Sequence, residues 1–339
     1  MPQYCLYGLV VNSNISIPGG FDCGPTTRCD LEVLLGSMPE WLDEALEGAD
    51  ERYKSQYRDK FGEPSLMIWK LLGGSYFRLR YSDGTEFLVD KHGSKLWATW
   101  PEGLTLDDTA TYLLGPVLGF VLLLTGTHSL HASAIAVDGK AVVLVGAPGA
   151  GKSTTAAAFA RRGYSILAED VVAISDEADR FVILPGYPRI RLWPESVSAL
   201  YGAPDALPPL TPTWNKRYLD LIIDGHSFQQ ESLPLAAIYV LQQRRADCSA
   251  LSVEPLAAHA GLMALVANTY ASLLMDKPMR AREFSLLTRI TSGVPIRRVT
   301  PHVSASFLSE LCDLILNDYY SLSEPESVSV GIPHLHAQR

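Results

Sequence analysis

The residues best suited to chemistry form one glycine-rich run, Gly146-Ala147-Pro148-Gly149-Ala150-Gly151-Lys152-Ser153, which is followed by Thr154. Its spacing is G-x-x-x-x-G-K-[ST], the pattern of a phosphate-binding loop. Glycines let backbone N–H groups turn inward around phosphates, where a side chain would block the approach. The run therefore predicts a nucleotide site in which Lys152 reaches the β- and γ-phosphates and the Ser153 hydroxyl ligates Mg²⁺.

An acidic pair, Glu169-Asp170, follows soon after this loop. Phosphoryl transfer requires a carboxylate near the metal and a group that accepts the proton of the acceptor hydroxyl. We expect the pair at the end of the next strand, beside the phosphates, because neighbouring strand ends of a parallel sheet lie side by side. Asp224, which follows Leu221-Ile222-Ile223, is the alternative metal-binding acid, and a surface turn is the ordinary structural interpretation of either position.

One histidine and several basic residues are further candidates. His131 lies on the strand before the loop strand, where a histidine is at least as often a hydrogen-bonded core residue as a functional one. Arg189 and Arg191 alternate with apolar neighbours. Either arginine could stabilise charge on the γ-phosphoryl group, or both could lie on a solvated strand face. His128 and Lys216-Arg217 are weaker candidates of the same kinds.

The elements that must position these residues alternate between strand and helix. An apolar strand, Val142–Val145, precedes the loop, and a helix is expected from Lys152 to Arg162. Asp138-Gly139 predicts a hairpin turn before the loop strand. The other predicted strands are His128–Val137, Tyr164–Ala168, Val171–Ile174, Tyr218–Ile223 and Ala236–Leu241. The other predicted helices are Leu106–Leu124, Pro255–Met275 and Pro301–Leu316.

The front of the chain is predicted to be rich in strands. Tyr76–Tyr81 and Glu86–Val89 alternate in polarity about Ser82-Asp83-Gly84-Thr85, which predicts a hairpin with a primed turn. The charged stretch Pro39–Pro64 predicts a solvated loop or a surface helix. This part of the sequence therefore differs in kind from the alternating strands and helices that follow it.

Length and composition suggest how these parts are organised. A chain of 339 residues, with 47% hydrophobic residues, can bury a substantial core and suggests two domains at roughly 150 residues each. We expect an α/β protein with a smaller β-rich domain over 1–105 and a catalytic P-loop domain over 106–320. The tail over 321–339 is polar and proline-punctuated, and we expect it to be flexible.

Charge and cysteine usage exclude several classes of protein. The net charge of −9 argues against a general nucleic-acid or anionic-membrane surface. Residues 1–11 lack the features of a signal peptide, and the apolar segment Leu113–Leu124 is shorter than the roughly 20 residues that cross a bilayer. The five cysteines contain no C-x-x-C pair, which argues against a disulfide framework or a zinc ribbon. We therefore expect a soluble, cytoplasmic protein.

The run His131–Ile174 resembles the catalytic domain of the HPr kinase/phosphorylase family. It shares the histidine before the paired strands, the loop, the helix end Arg161-Arg162-Gly163-Tyr164 and the acidic pair. The resemblance implies a P-loop fold with a mixed sheet and flanking helices, unlike most NTPases, and phosphorylation of a serine on a small carrier protein. It also implies that the first acid accepts the serine proton and the second helps to hold Mg²⁺. Here the first acid is Glu169, where the family usually has aspartate.

The whole-chain layout looks more like that of the HPr-kinase-like enzymes of peptide natural-product clusters, some of which phosphorylate the C-terminal serine of lasso-peptide precursors. The family's arginine signature survives only as Ile190-Arg191, and the front hundred residues do not resemble its regulatory domain. The likeness implies an ATP- and Mg²⁺-dependent serine kinase acting on a peptide, and an oligomer. Glu169 or Asp170 would accept the proton, Ser153 and Asp170 would hold Mg²⁺, and His131 and Arg191 would support them.

Three other functions fit the same residues. One is a kinase for a folded carrier protein, and a second is a kinase for a free amino acid or another small hydroxyl compound. The third is a regulatory module that binds ATP, hydrolyses it slowly and has no acceptor. The identity of the acceptor separates these possibilities.

Overall fold

Eight strands from the front of the chain form one mixed sheet, in the order β1-β2-β3-β8-β7-β6-β5-β4. Strand β3 pairs parallel with both β2 and β8, and the other neighbours are antiparallel. The strands are β1 (Gln3–Leu6), β2 (Leu9–Ser13), β3 (Leu31–Leu35), β4 (Asp50–Lys54), β5 (Leu66–Leu71), β6 (Tyr76–Tyr81), β7 (Glu86–Asp90) and β8 (Lys95–Thr99). The computed structural model describes residues 1–22, 24, 26–177, 180–223, 225–247 and 251–323.

The predicted hairpin is confirmed in β6 and β7, but its turn is not of the primed kind. The N–H of Gly84 donates to the carbonyl of Tyr81 at 3.0 Å, and the N–H of Tyr81 donates to the carbonyl of Thr85 at 2.9 Å. Among the turn residues only Gly84 has a positive φ, of 90°. A three-residue loop that ends in a left-handed glycine has this pattern, whereas a type I′ turn needs two such residues.

The charged stretch over 39–64 contains more regular structure than expected. It forms the short helix α1 (Leu42–Leu46) and strand β4, which pairs with β5 at the edge of the sheet. Most β4 side chains are exposed, which explains the missing alternation in the sequence. Charged side chains on an edge strand also oppose pairing with other chains.

Seven strands form a second mixed sheet, in the order β10-β9-β11-β12-β15-β17-β16, and β15 also pairs with β10. This extra pairing closes part of the sheet on itself. The strands are β9 (His128–Val137), β10 (Lys140–Gly146), β11 (Ile166–Glu177), β12 (Arg180–Leu184), β15 (Leu233–Leu241), β16 (Ser252–Pro255) and β17 (Ile296–Thr300). The described residues thus form a mixed α/β fold with two large sheets.

The predictions for this second sheet are partly confirmed. The hairpin of β9 and β10 turns at Asp138 and Gly139, both with positive φ, as a type I′ turn requires. The two strands predicted on either side of Glu169-Asp170 are one continuous strand, β11. The strand predicted over 218–223 is instead β14 (Arg217–Asp220), which pairs with β13 (Arg189–Leu192) in a separate two-stranded ribbon. Asp224 and residues 324–339 lie outside the described residues.

A nearly continuous helix covers 106–125, as predicted. It consists of α2 (Leu106–Tyr112), a π-helical turn (Leu113–Val117) and α3 (Leu118–Thr125). Pro116 lacks the N–H that an α-helix needs, and a π-turn is one way to absorb that loss. The helix is apolar enough to cross a membrane, with a mean hydropathy of 1.5, but 78% of that window is buried inside the protein. This burial is typical of the core helix of a soluble protein.

The helices after β15 differ from the predictions. The helix predicted over 255–275 is only α6 (Ala258–Ala267), because the Asn268 amide bonds back to the carbonyl of Ala264 and the chain then turns toward β9. Helix α7 (Lys277–Gly293) and strand β17 were not predicted. The last helix is α8 (Leu308–Ser323), which begins later than expected. The other described α-helices are α4 (Lys152–Arg161) and α5 (Pro194–Tyr201).

The helix over 106–125 shares its core with the first sheet. Leu113, Val117 and Phe120 are buried in the same apolar cluster as Leu79 and Phe87. The cluster also includes residues of β11, so the helix lies between the first sheet and the strand that carries the acidic pair. The elements of the front sheet therefore come close to the predicted site.

Candidate functional site

The glycine-rich loop connects the end of β10 to the start of α4. Gly146, Gly149 and Gly151 have φ values of 152°, 81° and 106°, in the region that side chains rarely adopt. A Cβ at Gly146 would lie 2.6 Å from the carbonyl oxygen of Leu241, and one at Gly151 would lie 2.9 Å from a guanidinium nitrogen of Arg244. The glycines are therefore required by the path of the loop. Its tip is exposed and the helix N-terminus lies behind it, as a phosphate cradle requires.

Lys152 lies on the inner side of this loop. Its ammonium donates to the carbonyl oxygen of Gly146 at 2.7 Å and to that of Ala147 at 3.4 Å. Burial lowers the pKa of Lys152, whereas the charges of Asp170 and Glu169 act in the opposite direction. The cation is thus held within the electrostatic reach of both acids and of any phosphate in the loop.

Ser153 and Thr154 point to different partners. The Ser153 hydroxyl donates to Oε1 of Glu169 at 2.6 Å, while the Thr154 hydroxyl lies 2.8 Å from that of Ser196 on α5. A hydroxyl and a carboxylate beside a phosphate loop are oxygen ligands of the type that Mg²⁺ prefers. The sequence assigned Mg²⁺ to Ser153 and Asp170. That pairing stays a prediction, since the structure places Glu169 against Ser153.

The acidic pair lies in the middle of β11, opposite β9, and not at a strand end as the sequence analysis expected. Asp170 has a φ of 69°, a left-handed conformation that is rare outside glycine. This local distortion turns two consecutive carboxylates toward the same region, which regular strand alternation would prevent. Strained backbone of this kind is concentrated at functional sites.

Asp170 has three polar side-chain neighbours. Its Oδ1 lies 3.1 Å from Nδ1 of His131, and its Oδ2 accepts from Arg191 and, at 3.3 Å, from the hydroxyl of Tyr270. Burial opposes ionisation of this carboxyl, but Arg191 and His131 outweigh it and hold the pKa well below its usual range. Asp170 therefore stays ionised at neutral pH. Its side chain is 18% exposed, against 6% for Glu169, so it is the more accessible acid.

Arg191 holds the two acids in place. Its Nη2 contacts Asp170, its Nε lies 3.7 Å from Oε2 of Glu169, and its Nη1 donates to the carbonyl of Thr111 on α2 at 3.1 Å. The guanidinium is buried, so it does not lie on a solvated strand face. Arg189, the other arginine considered, lies over the ring of Tyr218 at 4.2 Å from its centroid.

Several residues near the site were missed or given little weight. Tyr270 was assigned to the apolar side of a helix, and Arg244 beside Gly151 was not considered. Lys216 is close enough to the two acids for their charges to affect its pKa, which burial lowers overall. No local motif marks any of these residues, because loops distant in sequence bring them to the site.

Other candidates lie elsewhere or outside the described residues. The ring of His128 contacts Glu283 on α7 and does not contact the acidic pair. Asp224 belongs to the undescribed positions, so its proposed metal role stays a prediction. Within the described ranges, no cluster of three or more histidine, cysteine or acidic residues could hold a metal by itself. Mg²⁺ commonly uses one or two carboxylates together with substrate phosphates, so such a cluster is not needed here.

A cavity of about 220 Å³ lies next to the loop. Its lining includes Gly151 of the loop, Ser196 of α5, Arg244 and His302. The His302 ring packs on Phe307 with centroids 4.1 Å apart. The cavity therefore combines a cation with aromatic surface at the edge of the glycine-rich loop.

Comparisons with known proteins give little direct guidance. No protein-family profile matches the sequence, and no curated protein matches it. The chain superposes on the HPr(Ser) kinase/phosphatase from Coxiella burnetii with a TM-score of 0.31 and 11% identity, over 57% of this chain and 92% of that chain. This likeness is too weak to establish a common fold, so the geometry of the site has to carry any functional assignment.

Proposed function

We propose that the protein is an ATP-dependent kinase that transfers the γ-phosphoryl group to a serine hydroxyl, most simply on a peptide precursor. One observation carries this proposal. The Ser153 hydroxyl, at the end of the glycine-rich loop, donates to Glu169 at 2.6 Å, and the residue after Glu169 on β11 is an ionised carboxylate that is less buried than Glu169. Phosphoryl transfer requires three parts to lie close together: a phosphate cradle, ligands for the metal, and a group that orients the acceptor hydroxyl. The loop, Ser153 with Glu169, and Asp170 would supply them.

The loop and its helix would bind the phosphates of ATP. Backbone N–H groups over 149–153 and the Lys152 ammonium supply the positive charge, and Ser153 with Glu169 supplies the oxygen ligands for Mg²⁺. Bound Mg²⁺ would neutralise charge on the phosphate oxygens. The cavity lined by Arg244 and His302 adjoins Gly151 of the loop, and we assign it to the nucleoside of ATP.

Asp170 would orient the acceptor. Its low pKa makes it a weak base, but the transition state of phosphoryl transfer is loose and depends mainly on positioning. In the step itself, the serine oxygen bonds to the γ-phosphorus and the bond from that phosphorus to the bridging oxygen of ADP breaks. The hydroxyl proton passes to Asp170, and ADP leaves with the electron pair. Arg191 and His131 would keep the Asp170 carboxylate ionised and directed at the acceptor.

A peptide acceptor is supported by the resemblance to HPr-kinase-like tailoring enzymes and by the location of the site. Tyr270 and the π-turn over 113–117 border Asp170, and both pack against the front sheet. A surface built from two sheets gives an extended substrate more to contact than a closed pocket would. The C-terminal serine of a lasso-type precursor is the specific acceptor that we propose.

The test is an acceptor search with a P-loop variant. Purified protein, Mg²⁺ and γ-labelled ATP are incubated with host extract, and labelled products are separated by size. Lys152→Ala should abolish the transfer because it removes the ammonium from the phosphate loop, while Lys140→Ala, at the exposed start of β10, should not. Unchanged transfer by Lys152→Ala would refute the site assignment.

The labelled product identifies the acceptor. Lys152-dependent label on a short peptide supports the peptide kinase, and label on a small metabolite or a folded carrier replaces the substrate while keeping the chemistry. Tight ATP binding with no labelled product from any pool would favour a regulatory ATP-binding module.

A further inference from the structure

An apolar cavity of about 160 Å³ lies between the front sheet, the helix over 106–125 and the turn after α6. It is separate from the cavity at the phosphate loop. Its lining includes Leu79, Tyr81, Pro116, Phe120, Tyr270 and Leu273. The lining contains no charged side chain, and its polar side-chain groups are the phenol hydroxyls.

This cavity is connected to the candidate site by one side chain. The ring of Tyr270 forms part of the lining, and its hydroxyl donates to Oδ2 of Asp170 at 3.3 Å. Pro116, also in the lining, follows Gly115, at which a Cβ would lie 3.0 Å from Oδ2 of Asp170. The cavity is therefore separated from the Asp170 carboxylate, which is proposed to orient the acceptor hydroxyl, by the width of the Tyr270 ring.

The position of Tyr270 is set by close packing. A Cβ at Gly119 would lie 2.5 Å from its ring, so only glycine at that position leaves room for the ring against α3. The next residue, Ala271, has a left-handed φ of 53°. The turn that carries Tyr270, Leu273 and Leu274 is thus held in a conformation that local sequence preference does not favour.

Size and polarity limit what this cavity can hold. An apolar cavity of roughly 150 Å³ accommodates a benzene ring. The lack of lining charges disfavours an ionised group, which would lose its hydration without gaining a partner. One large apolar side chain fits both criteria. Consecutive Cα atoms are about 3.8 Å apart, so such a side chain belongs to a residue one or two positions from the reacting serine.

We infer that this cavity is an acceptor subsite, which takes a single aromatic or large aliphatic side chain from a residue near the phosphorylated serine. The inference rests on the proposed function and adds a sequence preference to it. Burial of the apolar side chain would bring the serine hydroxyl to Asp170. A peptide with a polar residue at that position would lack this contact.

The experiment uses the full chain and a set of pentapeptides in which four glycines precede a C-terminal serine, the acceptor proposed above. Each glycine in turn is replaced by phenylalanine or by asparagine. Binding of each peptide is measured by calorimetry in the presence of ADP and Mg²⁺, and transfer from ATP is measured separately. At one position at least, we expect the phenylalanine peptide to bind roughly tenfold more tightly than its asparagine counterpart, in line with an apolar contact of this size.

Two matched variants assign this preference to the cavity. Leu273→Asp places a charge at the rim and should remove the preference for phenylalanine. Met263→Asp, at a comparably exposed position on α6 outside the lining, should retain it. Both leucine and methionine are mostly exposed, so neither change should prevent folding.

Each outcome decides either the subsite or the proposed function on which it rests. A phenylalanine preference lost only in Leu273→Asp supports the subsite, whether or not transfer occurs. Equal binding of the phenylalanine and asparagine peptides at all four positions overturns the subsite, and so does a preference that survives Leu273→Asp. Leu273-dependent binding without transfer to any peptide would refute the proposed peptide acceptor and leave the cavity as a peptide-binding site.

Discussion

Two adjacent acids in this site have different surroundings and can take different roles. Glu169 lies against the Ser153 hydroxyl and is almost fully buried, whereas Asp170 is ionised, more exposed and surrounded by His131, Arg191 and Tyr270. Separate environments for neighbouring carboxylates are a common way to divide metal binding from proton handling. The geometry therefore favours Glu169 on the metal side and Asp170 on the acceptor side.

The role of Ser153 predicts a metal dependence. Ser153→Ala removes the hydroxyl that pairs with Glu169, and we expect the Mg²⁺ concentration for half-maximal transfer to rise roughly tenfold or more. Titration of activity with Mg²⁺ at saturating ATP measures this change. Ser165→Ala is the control, because its hydroxyl bonds to that of Ser227 at an exposed position. An unchanged Mg²⁺ requirement in Ser153→Ala would exclude the hydroxyl as a ligand.

At the scale of elements, the helix over 106–125 is the part that joins the site to the front sheet. Its π-turn places Gly115 against Asp170 and Arg191, and its α3 segment places Gly119 against the ring of Tyr270. At both positions a side chain would occupy space that site residues already fill. π-turns are frequent at functional sites, and here the turn lets the helix pass close to β11.

Gly119→Ala tests this packing. The added methyl group would lie 2.5 Å from the Tyr270 ring, so the ring or the helix must move. We expect a loss of about 1–3 kcal/mol in the free energy of unfolding, typical of overpacking, together with slower transfer. Urea denaturation and activity measure the two effects. Gly103→Ala, whose Cβ would meet no atom within 4 Å, should leave both unchanged.

At the scale of the whole molecule, the two sheets depend on a shared core. Val171 and Ala173 of β11 belong to the same apolar cluster as Leu79 and Phe87 of the front sheet, with the 106–125 helix between them. A boundary at 105/106 remains the division predicted from the sequence, but it cuts through this cluster. The part after residue 105 would expose a long apolar helix if it were separated there.

We therefore expect the fragment 106–323 not to fold as a soluble monomer. Removing the front sheet uncovers the apolar side of the helix, and an exposed surface of this kind favours aggregation. The oligomeric state of the fragment is measured by size-exclusion chromatography and its folding by circular dichroism, with the full chain as the control. A monomeric fragment that unfolds cooperatively would show that the predicted domain is independent of the front sheet.

The sequence by itself determined the elements whose signals are local. The loop over 146–153 is a contiguous motif, and the Asp138-Gly139 turn needs only two residues. Polar and apolar residues alternate along β6 and β7, the strands of the first hairpin. Each depends on backbone preferences of neighbouring residues. Two local predictions were wrong. The turn at Gly84 is not primed, because its hydrogen bonds close a three-residue loop. The helix predicted over 255–275 ends early, where the Asn268 amide bonds back to the carbonyl of Ala264.

Only the tertiary structure decided how the site is assembled. Arg191 and Tyr270 reach Asp170 from segments 21 and 100 residues away along the chain, and no spacing in the sequence encodes such contacts. The left-handed φ of Asp170 is likewise maintained by its surroundings, because an isolated strand would alternate its two carboxylates between opposite faces. The candidate residues were therefore recognisable from their types and spacing, whereas the partner of each acid followed from the packing of the two sheets around one helix.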